Sequence, residues 1–156
     1  MIELKHITEG DTKKVLKYIT NPKVSRFLTW SPYKDEEKIR KYFDYAIKCR
    51  DFPDEIFCIF FNGEIIGTAH LLNRDNESMQ IGFGILPEFW GHGLGYETAI
   101  EIIQYIRNSK WSEKIKHVLA VIHQDNIYAQ KISTKLNFHL KQKNIKNNFD
   151  QYMLIL

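Results

Sequence analysis

Hydrophobic and polar positions alternate in short, well-bounded runs from the first residues of the chain. Residues 2–7 (IELKHI) alternate strictly, which is typical of a half-buried strand. Val15, Leu16 and Ile19 then recur at helical spacing, and the Asn21-Pro22 pair is expected to end that helix. The first part of the chain therefore predicts a strand followed by a short amphipathic helix.

A second helical run follows, and beyond it the hydrophobic period changes. The helix is expected over about residues 35–49, with Asp35 as its cap. Strands are predicted over 56–61, 64–72 and 79–86. Asn-Gly between the first two of these strands is a strong signal for a tight hairpin. The three strands are expected to form an antiparallel meander.

The last third of the chain alternates helices with strands. A helix is predicted up to about Arg107, a buried strand over 116–122 and another helix over about 126–136. Two final strands are predicted over 138–145 and 149–156. Because a helix connects the third meander strand to strand 116–122, we expect those two strands to be parallel neighbours.

Composition supports one folded unit. The length of 156 residues, with 44% hydrophobic and 26% charged residues, is typical of a single globular domain, residues 1–156. The predicted fold class is α+β, with a mixed, mostly antiparallel sheet of six to seven strands flanked by about four helices. The net charge of +3 is too small to indicate a nucleic-acid partner. From Arg107 onwards, however, nine Lys or Arg residues face three Asp or Glu residues, which indicates either a solvated surface or a rim that attracts an anionic ligand.

Cysteine content and apolar run lengths exclude several classes of protein. Cys49 and Cys58 show no metal-binding spacing, so neither a disulfide framework nor a metal site is expected, and a reducing cytoplasmic compartment fits best. The opening residues MIELKHITEGD lack the apolar segment of a signal peptide. No apolar run approaches the ~18 residues that span a membrane. We expect a cytoplasmic protein without a membrane or nucleic-acid partner.

Residues 86–99 (LPEFWGHGLGYETA) place Gly91, Gly93 and Gly95 directly before a helical run. A strand, a glycine-rich turn and a helix together form a phosphate-binding arrangement, because the first amides of the helix point outward and its dipole favours anions. We expect a Cβ at Gly93 or Gly95 to obstruct a diphosphate most, and Gly91 to serve the turn.

Other interpretations of these glycines are weaker. A P-loop requires a lysine after its last glycine, and Tyr96 stands there. A dinucleotide fingerprint GxGxxG fails because Tyr96 or Thr98 occupies its third position. A glycine turn that only connects a strand to a helix stays as the structural alternative.

Two blocks of sequence carry a family resemblance. The first, WGHGLG (90–95), is similar to the signature (Q/R)xxGx(G/A), with Trp90 in place of Gln or Arg. The second, HQDNIYAQKISTKLNF (123–138), is similar to Asn-x-x-Ser…Glu-Lys-x-Gly-Phe, with Ala129 in place of Ser and Asn137 in place of Gly. Together with the predicted order of elements, the blocks resemble the GNAT family of acyl-CoA-dependent N-acetyltransferases, and within it the branch that acetylates ribosomal-protein N-termini.

The resemblance implies acetyl-CoA as cosubstrate and no metal. The amides of His92 to Tyr96 are implied to hold the CoA pyrophosphate. Ile85 and Leu86 are implied to pair with pantetheine where the two parallel strands separate, with the Leu86 amide meeting the acetyl carbonyl. Asn126 is implied to lie near the pantetheine, although a plain helix N-cap is the alternative. The implied cofactor-binding residues are Ile85, Leu86, Trp90, Gly91, His92, Gly93, Leu94, Gly95, Tyr96 and Asn126.

The implied reaction is direct attack of an amine on the acetyl thioester in a ternary complex, without a covalent enzyme intermediate. Gln80, Asn126 and Tyr128 are the implied catalytic positions. Gln80 stands where this branch often carries Glu, and an amide can orient an amine or a water but cannot take a proton. Alternative bases and acids therefore stay open, and these are Glu77, His70 and His123 as bases, and Ser133, Ala129 and Tyr128 at or beside the acid position.

The acceptor is implied to be a primary amine, either a protein N-terminus or a small molecule, bound by a monomer or a homodimer. Trp30 and Tyr33 are the expected acceptor-binding residues. Lysines between Lys141 and Asp150 repel a polycation and are compatible with an acidic or neutral acceptor. Gln80 and Ala129 also motivate an alternative, a catalytically inactive CoA-binding regulatory module.

Overall fold

The computed structural model describes residues 1–28, 35–48 and 54–156, except for the side chain of Lys17. Within these ranges the chain forms seven strands and five α-helices, with 3-10 turns at Glu9–Asp11 and Pro87–Phe89. The strands are β1 (Ile2–His6), β2 (Asp54–Phe61), β3 (Glu64–Asn73), β4 (Ser78–Ile85), β5 (His117–His123), β6 (His139–Lys146) and β7 (Phe149–Ile155). The helices are α1 (Thr12–Ile19), α2 (Pro22–Ser25), α3 (Glu36–Lys48), α4 (Leu94–Asn108) and α5 (Ile127–Lys135).

The strands of the described ranges form one sheet in the order β1-β2-β3-β4-β5-β7-β6. Within those ranges β4 and β5 form its parallel pair, and the other neighbouring pairs are antiparallel. The mixed, mostly antiparallel sheet and the parallel pairing are therefore confirmed. The Asn62-Gly63 hairpin is also present, with φ angles of 51° and 81°.

Helices cover both faces of this sheet. The face covered by α1, α2 and α3 is called the α1–α3 face, and its core is separate from the core beneath α4. The helical members of the first core are Val15, Leu16, Tyr18, Ile19, Val24, Ile39 and Phe43, and those of the second are Leu94, Ile102, Ile103 and Ile106.

One element was not predicted. The Asn21-Pro22 pair follows the end of α1 as expected, but it also begins α2. The Asn21 side chain accepts a hydrogen bond from the Lys23 amide at 3.0 Å, and proline is well suited to the first helical position because it has no N–H to satisfy. A helix of four residues is too short to show a hydrophobic period, so the sequence pattern indicated only that α1 ends before Pro22.

The C-terminal end of α4 is anchored by a buried carboxylate. The Glu55 side chain accepts hydrogen bonds from Trp111 Nε1 at 2.7 Å and from the Tyr105 hydroxyl at 3.0 Å, and it lies 3.3 Å from His6 Nε2. These bonds connect β1 and β2 to the end of α4 and the turn after it. They fix α4 relative to the sheet, and therefore also the position of its first turn.

The two parallel strands separate before they end. Their four paired residues finish at Ile81 and Ala120, whereas β4 continues to Ile85 and β5 continues to His123. The last residues of both strands therefore border an opening in the sheet. This opening, between residues 82–85 of β4 and residues 121–123 of β5, is called the gap from here on.

Alternation along β4 assigns its side chains to the two faces. Ile81, Phe83 and Ile85 pack in the core beneath α4. Gly82 and Gly84 alternate with them and therefore lie on the α1–α3 face, opposite His70 and Thr68 of β3. Past the paired residues, β4 thus presents two glycines to the α1–α3 face.

Candidate functional site

The loop between β4 and α4 has backbone angles that favour glycine. Gly91 and Gly93 have φ angles of +82° and +79°, a region that residues with a Cβ rarely adopt. A Cβ built at either position meets no atom within 4 Å. Both glycines are therefore required by conformation, and both border open space. Residues 90–96 are called the cofactor loop from here on.

The amides of this loop are free to bind a ligand. Within the described chain, the amides of Gly91 to Gly95 donate to no backbone or side-chain acceptor. The next two amides, of Tyr96 and Glu97, already bond to the Gly93 carbonyl oxygen at 3.0 and 3.2 Å. Consecutive unpaired amides at the start of a 15-residue helix form a concentrated site for an anion.

Gly95 has a different explanation from the one expected from sequence. It lies within α4 at an ordinary φ, and a Cβ there would be 3.1 Å from Cδ1 of Ile132 on α5. The absence of a side chain at Gly95 thus allows α4 to pack closely on α5. The expectation that Gly91 serves the turn fits its positive φ, and Gly93 shares that requirement.

Two side chains fasten the cofactor loop. Trp90 Nε1 donates a 2.7 Å hydrogen bond to the Ile85 carbonyl at the end of β4, while 51% of the residue stays exposed. Lys135 Nζ lies 3.9 Å from the centroid of the Tyr96 ring. The indole closes the loop onto the gap, and the ammonium group places a positive charge beside the first turn of α4.

The Leu86 amide is not available in the way that the resemblance implied. It donates a 2.7 Å hydrogen bond to the Ile66 carbonyl of β3, so its role as a donor to the acetyl carbonyl is not supported. Backbone groups of successive strand residues point to opposite sides. Phe83 and Ile85 therefore direct theirs toward β5, past the last paired residues.

Gln80 and the three candidate bases do not lie together. Gln80 Oε1 accepts a 2.9 Å hydrogen bond from Arg74 Nε, which ties it to the turn before β4. Glu77 precedes the opposite end of β4 from the gap, and its carboxylate pairs with Lys116. Glu77 is therefore too far along the strand to reach a thioester in the gap.

His70 and His123 both lie on the α1–α3 face. His70 is buried, its Nε2 is 3.3 Å from Thr68 Oγ1, and its ring stacks on Tyr42. Burial lowers the pKa of His70 to about 4, so this ring is neutral near pH 7. His123 ends β5 at the gap, and its ring contacts Phe27 and Phe149. Sequence spacing gave no sign of these aromatic neighbours.

The remaining predicted residues have distinct placements. The Asn126 side chain caps α5 by accepting a 3.2 Å hydrogen bond from the Ala129 amide, so the helix-cap interpretation holds. Tyr128 is 81% exposed on the first turn of α5. Ser133 is buried and its hydroxyl has no hydrogen-bond partner within the described ranges. Trp30 and Tyr33, together with Cys49, lie outside the described residues.

For the charge excess from Arg107 onwards the sequence offered a solvated surface or a rim that attracts an anion, and the structure has a basic groove beside the cofactor loop. It has a volume of about 540 Å³ and runs along α4 from Tyr96 to Arg107, with Lys135 and His139 on its other side. Part of the charge excess from Arg107 onwards is therefore collected along this groove, at Arg107 and Lys135. The signal for it was the local charge imbalance from Arg107 onwards.

The described ranges hold neither a metal-ligand cluster nor a membrane-spanning helix. They contain no cluster of His, Cys, Asp or Glu that could hold a metal ion. None of the helices described here combines the length and the apolar character needed to cross a bilayer.

Comparison with known proteins assigns the family. Residues 2–139 match the family model described as an acetyltransferase (GNAT) domain. No curated protein matches the chain in a direct search. Among solved structures, the chain is similar to RimL, a ribosomal L7/L12 alpha-N-protein acetyltransferase in complex with coenzyme A, with 18% identity, a TM-score of 0.83, and coverage of 99% of this chain and 94% of RimL.

Two further solved structures share the fold. A spermidine N-acetyltransferase from Vibrio cholerae, with CoA and spermine, gives 13% identity, a TM-score of 0.86, and coverage of 99% and 95% of the two chains. The N-acetyltransferase PseH of Campylobacter jejuni, with acetyl coenzyme A, gives 20% identity, a TM-score of 0.74, and coverage of 99% of each chain. The matched family model spans most of the chain, and the chain belongs to the GNAT family of acetyl-CoA-dependent N-acetyltransferases.

Proposed function

We propose that this chain transfers the acetyl group of acetyl-CoA to a primary amine by direct attack within a ternary complex. The observation that carries the proposal is the run of unpaired amides at Gly91 to Gly95, which lies beside the gap between β4 and β5. We treat residues 1–156 as one catalytic domain acting in the cytoplasm.

The cofactor loop would hold the pyrophosphate, and the gap would receive the pantetheine. Phe83 takes the place of Leu86 as a backbone partner of the pantetheine, and Ile85 keeps its implied role through its amide N–H, because its carbonyl already accepts the bond from Trp90. His92, Leu94 and Tyr96 contribute amides at the start of α4, and Trp90 holds the loop against Ile85. The Asn126 carbonyl caps α5, and its amide nitrogen stays available for the thioester end of the cofactor.

The environment of Cys58, the free cysteine in the described ranges, is consistent with direct transfer of the acetyl group from CoA to the amine. Cys58 is buried on β2, and burial, with a smaller contribution from Asp11, raises the pKa of its thiol to about 12. A thiol of this kind is neutral and inaccessible, so it is unsuited to carry an acetyl group. Cys58 therefore offers no route through an acetylated enzyme, in keeping with attack of the amine on the thioester itself.

Proton removal would not need a carboxylate at Gln80. A terminal α-amine has a pKa near 8 and is partly neutral at pH 7, so water can accept its proton. The α1–α3 face at the gap is called the acceptor face below, since the amine would approach from the side opposite α4. The acceptor classes to be tested are protein N-termini, as in RimL, and small amines, as in the Vibrio enzyme.

The test is release of free CoA thiol from acetyl-CoA in the presence of a panel of peptides and small amines, combined with calorimetry of CoA binding. We expect CoA binding and turnover with at least one amine. Binding without turnover across the whole panel would favour the regulatory-module alternative. Tighter binding of NAD or ATP than of CoA would reject the assignment of the cofactor loop.

A further inference from the structure

We propose that His123 positions the amine acceptor by donating its Nε2–H to an acceptor oxygen close to the reacting amine, and that it is not the base. The acceptor class that this donor fits is an α-amine followed by a carbonyl, as at the N-terminal residue of a polypeptide. This inference rests on the proposed acetyl transfer and names its substrate class.

The tautomer of His123 follows from its neighbour in the chain. The Asp125 amide donates a 3.1 Å hydrogen bond to His123 Nδ1. An amide N–H only donates, so Nδ1 must offer its lone pair, and the neutral ring carries its proton on Nε2. Both nitrogens are then committed, one as an acceptor and the other as a donor. The only lone pair of the neutral ring, on Nδ1, faces the Asp125 amide, so the ring presents no proton acceptor at Nε2 to an amine.

The ring is held in place by two aromatic contacts. Its centroid is 5.5 Å from that of Phe27 and 4.9 Å from that of Phe149, which it meets nearly edge to face. The Asp125 carboxylate is also on the Nδ1 side, at 3.8 Å. Nε2 has no hydrogen-bond partner in the part of the chain described, and 20% of the side chain is exposed. The donor is therefore fixed in orientation and still accessible.

The surroundings of the gap favour an oxygen-bearing acceptor over a polyamine. On the acceptor face, the residues past the last strand pair are Gly82, Gly84, Val121 and His123, none of which carries a carboxylate. The Arg26 guanidinium lies 4.9 Å from the centroid of the Phe27 ring. One positive charge, on Arg26, thus lies beside the aromatic contacts of His123, and one negative charge, on Asp125, lies 3.8 Å from its Nδ1. A carbonyl oxygen meets a hydrogen-bond donor at Nε2, whereas an ammonium group of a polyamine can only donate and finds no acceptor on that nitrogen.

The first experiment separates binding from chemistry. His123→Phe keeps an aromatic ring between Phe27 and Phe149 but removes the donor. For a short peptide with a free α-amine we expect KM to rise about fivefold and kcat to stay within about twofold, as expected for the loss of one hydrogen bond to the acceptor. For a monoalkylamine of similar length, which has no oxygen, both constants should stay unchanged. His117→Phe, at the other end of β5, is the matched control.

The second experiment reads the tautomer without any acceptor. Imidazole ¹⁵N NMR of the wild-type protein should show the proton of His123 on Nε2 at neutral pH. Asp125→Asn retains the amide and should preserve this state, whereas Asp125→Pro removes the amide donor and should release it. A wild-type ring protonated on Nδ1 overturns the inference, whatever the folding of the variants.

The two proposals fail in different ways. Turnover in which His123→Phe lowers kcat and removes the acidic limb of the pH profile would identify a base and overturn only this inference. Equal effects of His123→Phe on the peptide and on the alkylamine would do the same. Absence of turnover with every amine would overturn the proposed function, and with it the acceptor class.

Discussion

The cofactor loop and the acceptor face border the same gap but are built in different ways. The cofactor loop is continuous in sequence and acts through backbone amides, fixed by the two positive φ angles at Gly91 and Gly93. The acceptor face collects side chains from the turn after α2 and from β3, β5 and β7, among them Phe27, His70 and His123. A site made of consecutive backbone groups can be recognised from a short motif, whereas a site assembled from distant side chains cannot.

The largest expected effect is a loss of stability at low pH, caused by the buried His70 of the acceptor face. The pKa of His70 is lowered by burial from 6.5 to about 4, so its contribution to stability is fully present above pH 6.5 and is lost as pH falls toward 4. The free energy of unfolding should drop by roughly 3 kcal/mol over that interval from this group. Urea unfolding at pH 7 and pH 4, compared with His70→Leu, measures it. Equal losses in both proteins would contradict the assignment.

Gly93→Val tests the backbone nature of the cofactor loop. We expect CoA affinity to fall about a hundredfold, because the left-handed conformation is lost and the amides no longer converge. Gly63→Val is the control, since Gly63 has almost the same φ and equally open space but lies in the β2–β3 hairpin. Isothermal calorimetry should show near-normal affinity for that variant. A similar loss in both would mean that general destabilisation explains the result.

A smaller effect is expected at Trp90. Trp90→Phe removes the hydrogen bond to the Ile85 carbonyl and should weaken CoA binding about fivefold, as expected for a bond worth on the order of 1 kcal/mol. Trp90→Gln restores an N–H donor, in agreement with the family signature, and should bind CoA more tightly than Trp90→Phe. The order of the CoA dissociation constants of the wild type, Trp90→Phe and Trp90→Gln tests this role of the Trp90 hydrogen bond. Equal affinity of the Phe variant and the wild type would show that the bond does not hold the loop.

Gln80→Glu should have the smallest effect. Because Arg74 holds this side chain toward the turn before β4, we expect kcat to change by less than about threefold, far below the roughly 10² to 10⁴ gained from a positioned base. Steady-state kinetics with the best amine of the panel tests this. A rise of about a hundredfold would mean that the wild type lacks an essential base, and would favour the regulatory-module alternative.

The sequence predicted features that depend on residues close in the chain and missed features that depend on distant elements. The Asn62-Gly63 hairpin, the parallel β4–β5 pair and the turn at Gly91 were predicted because each depends on residues close in sequence or on one crossover. The bond from the Leu86 amide to Ile66 was missed because it depends on the register between two strands. The setting of His123 was missed because Phe27 and Phe149 lie on distant elements.

The early end of the β4–β5 ladder also has a mechanical consequence. It divides the sheet into a four-stranded wing, β1 to β4, and a three-stranded wing, β5 to β7, which the described ranges join through only four residue pairs. A ligand that bonds to the free edges of both wings acts as a short extra strand and stiffens this joint. Bound cofactor should therefore raise the resistance of the whole domain to unfolding, and slow hydrogen exchange on both sides of the joint.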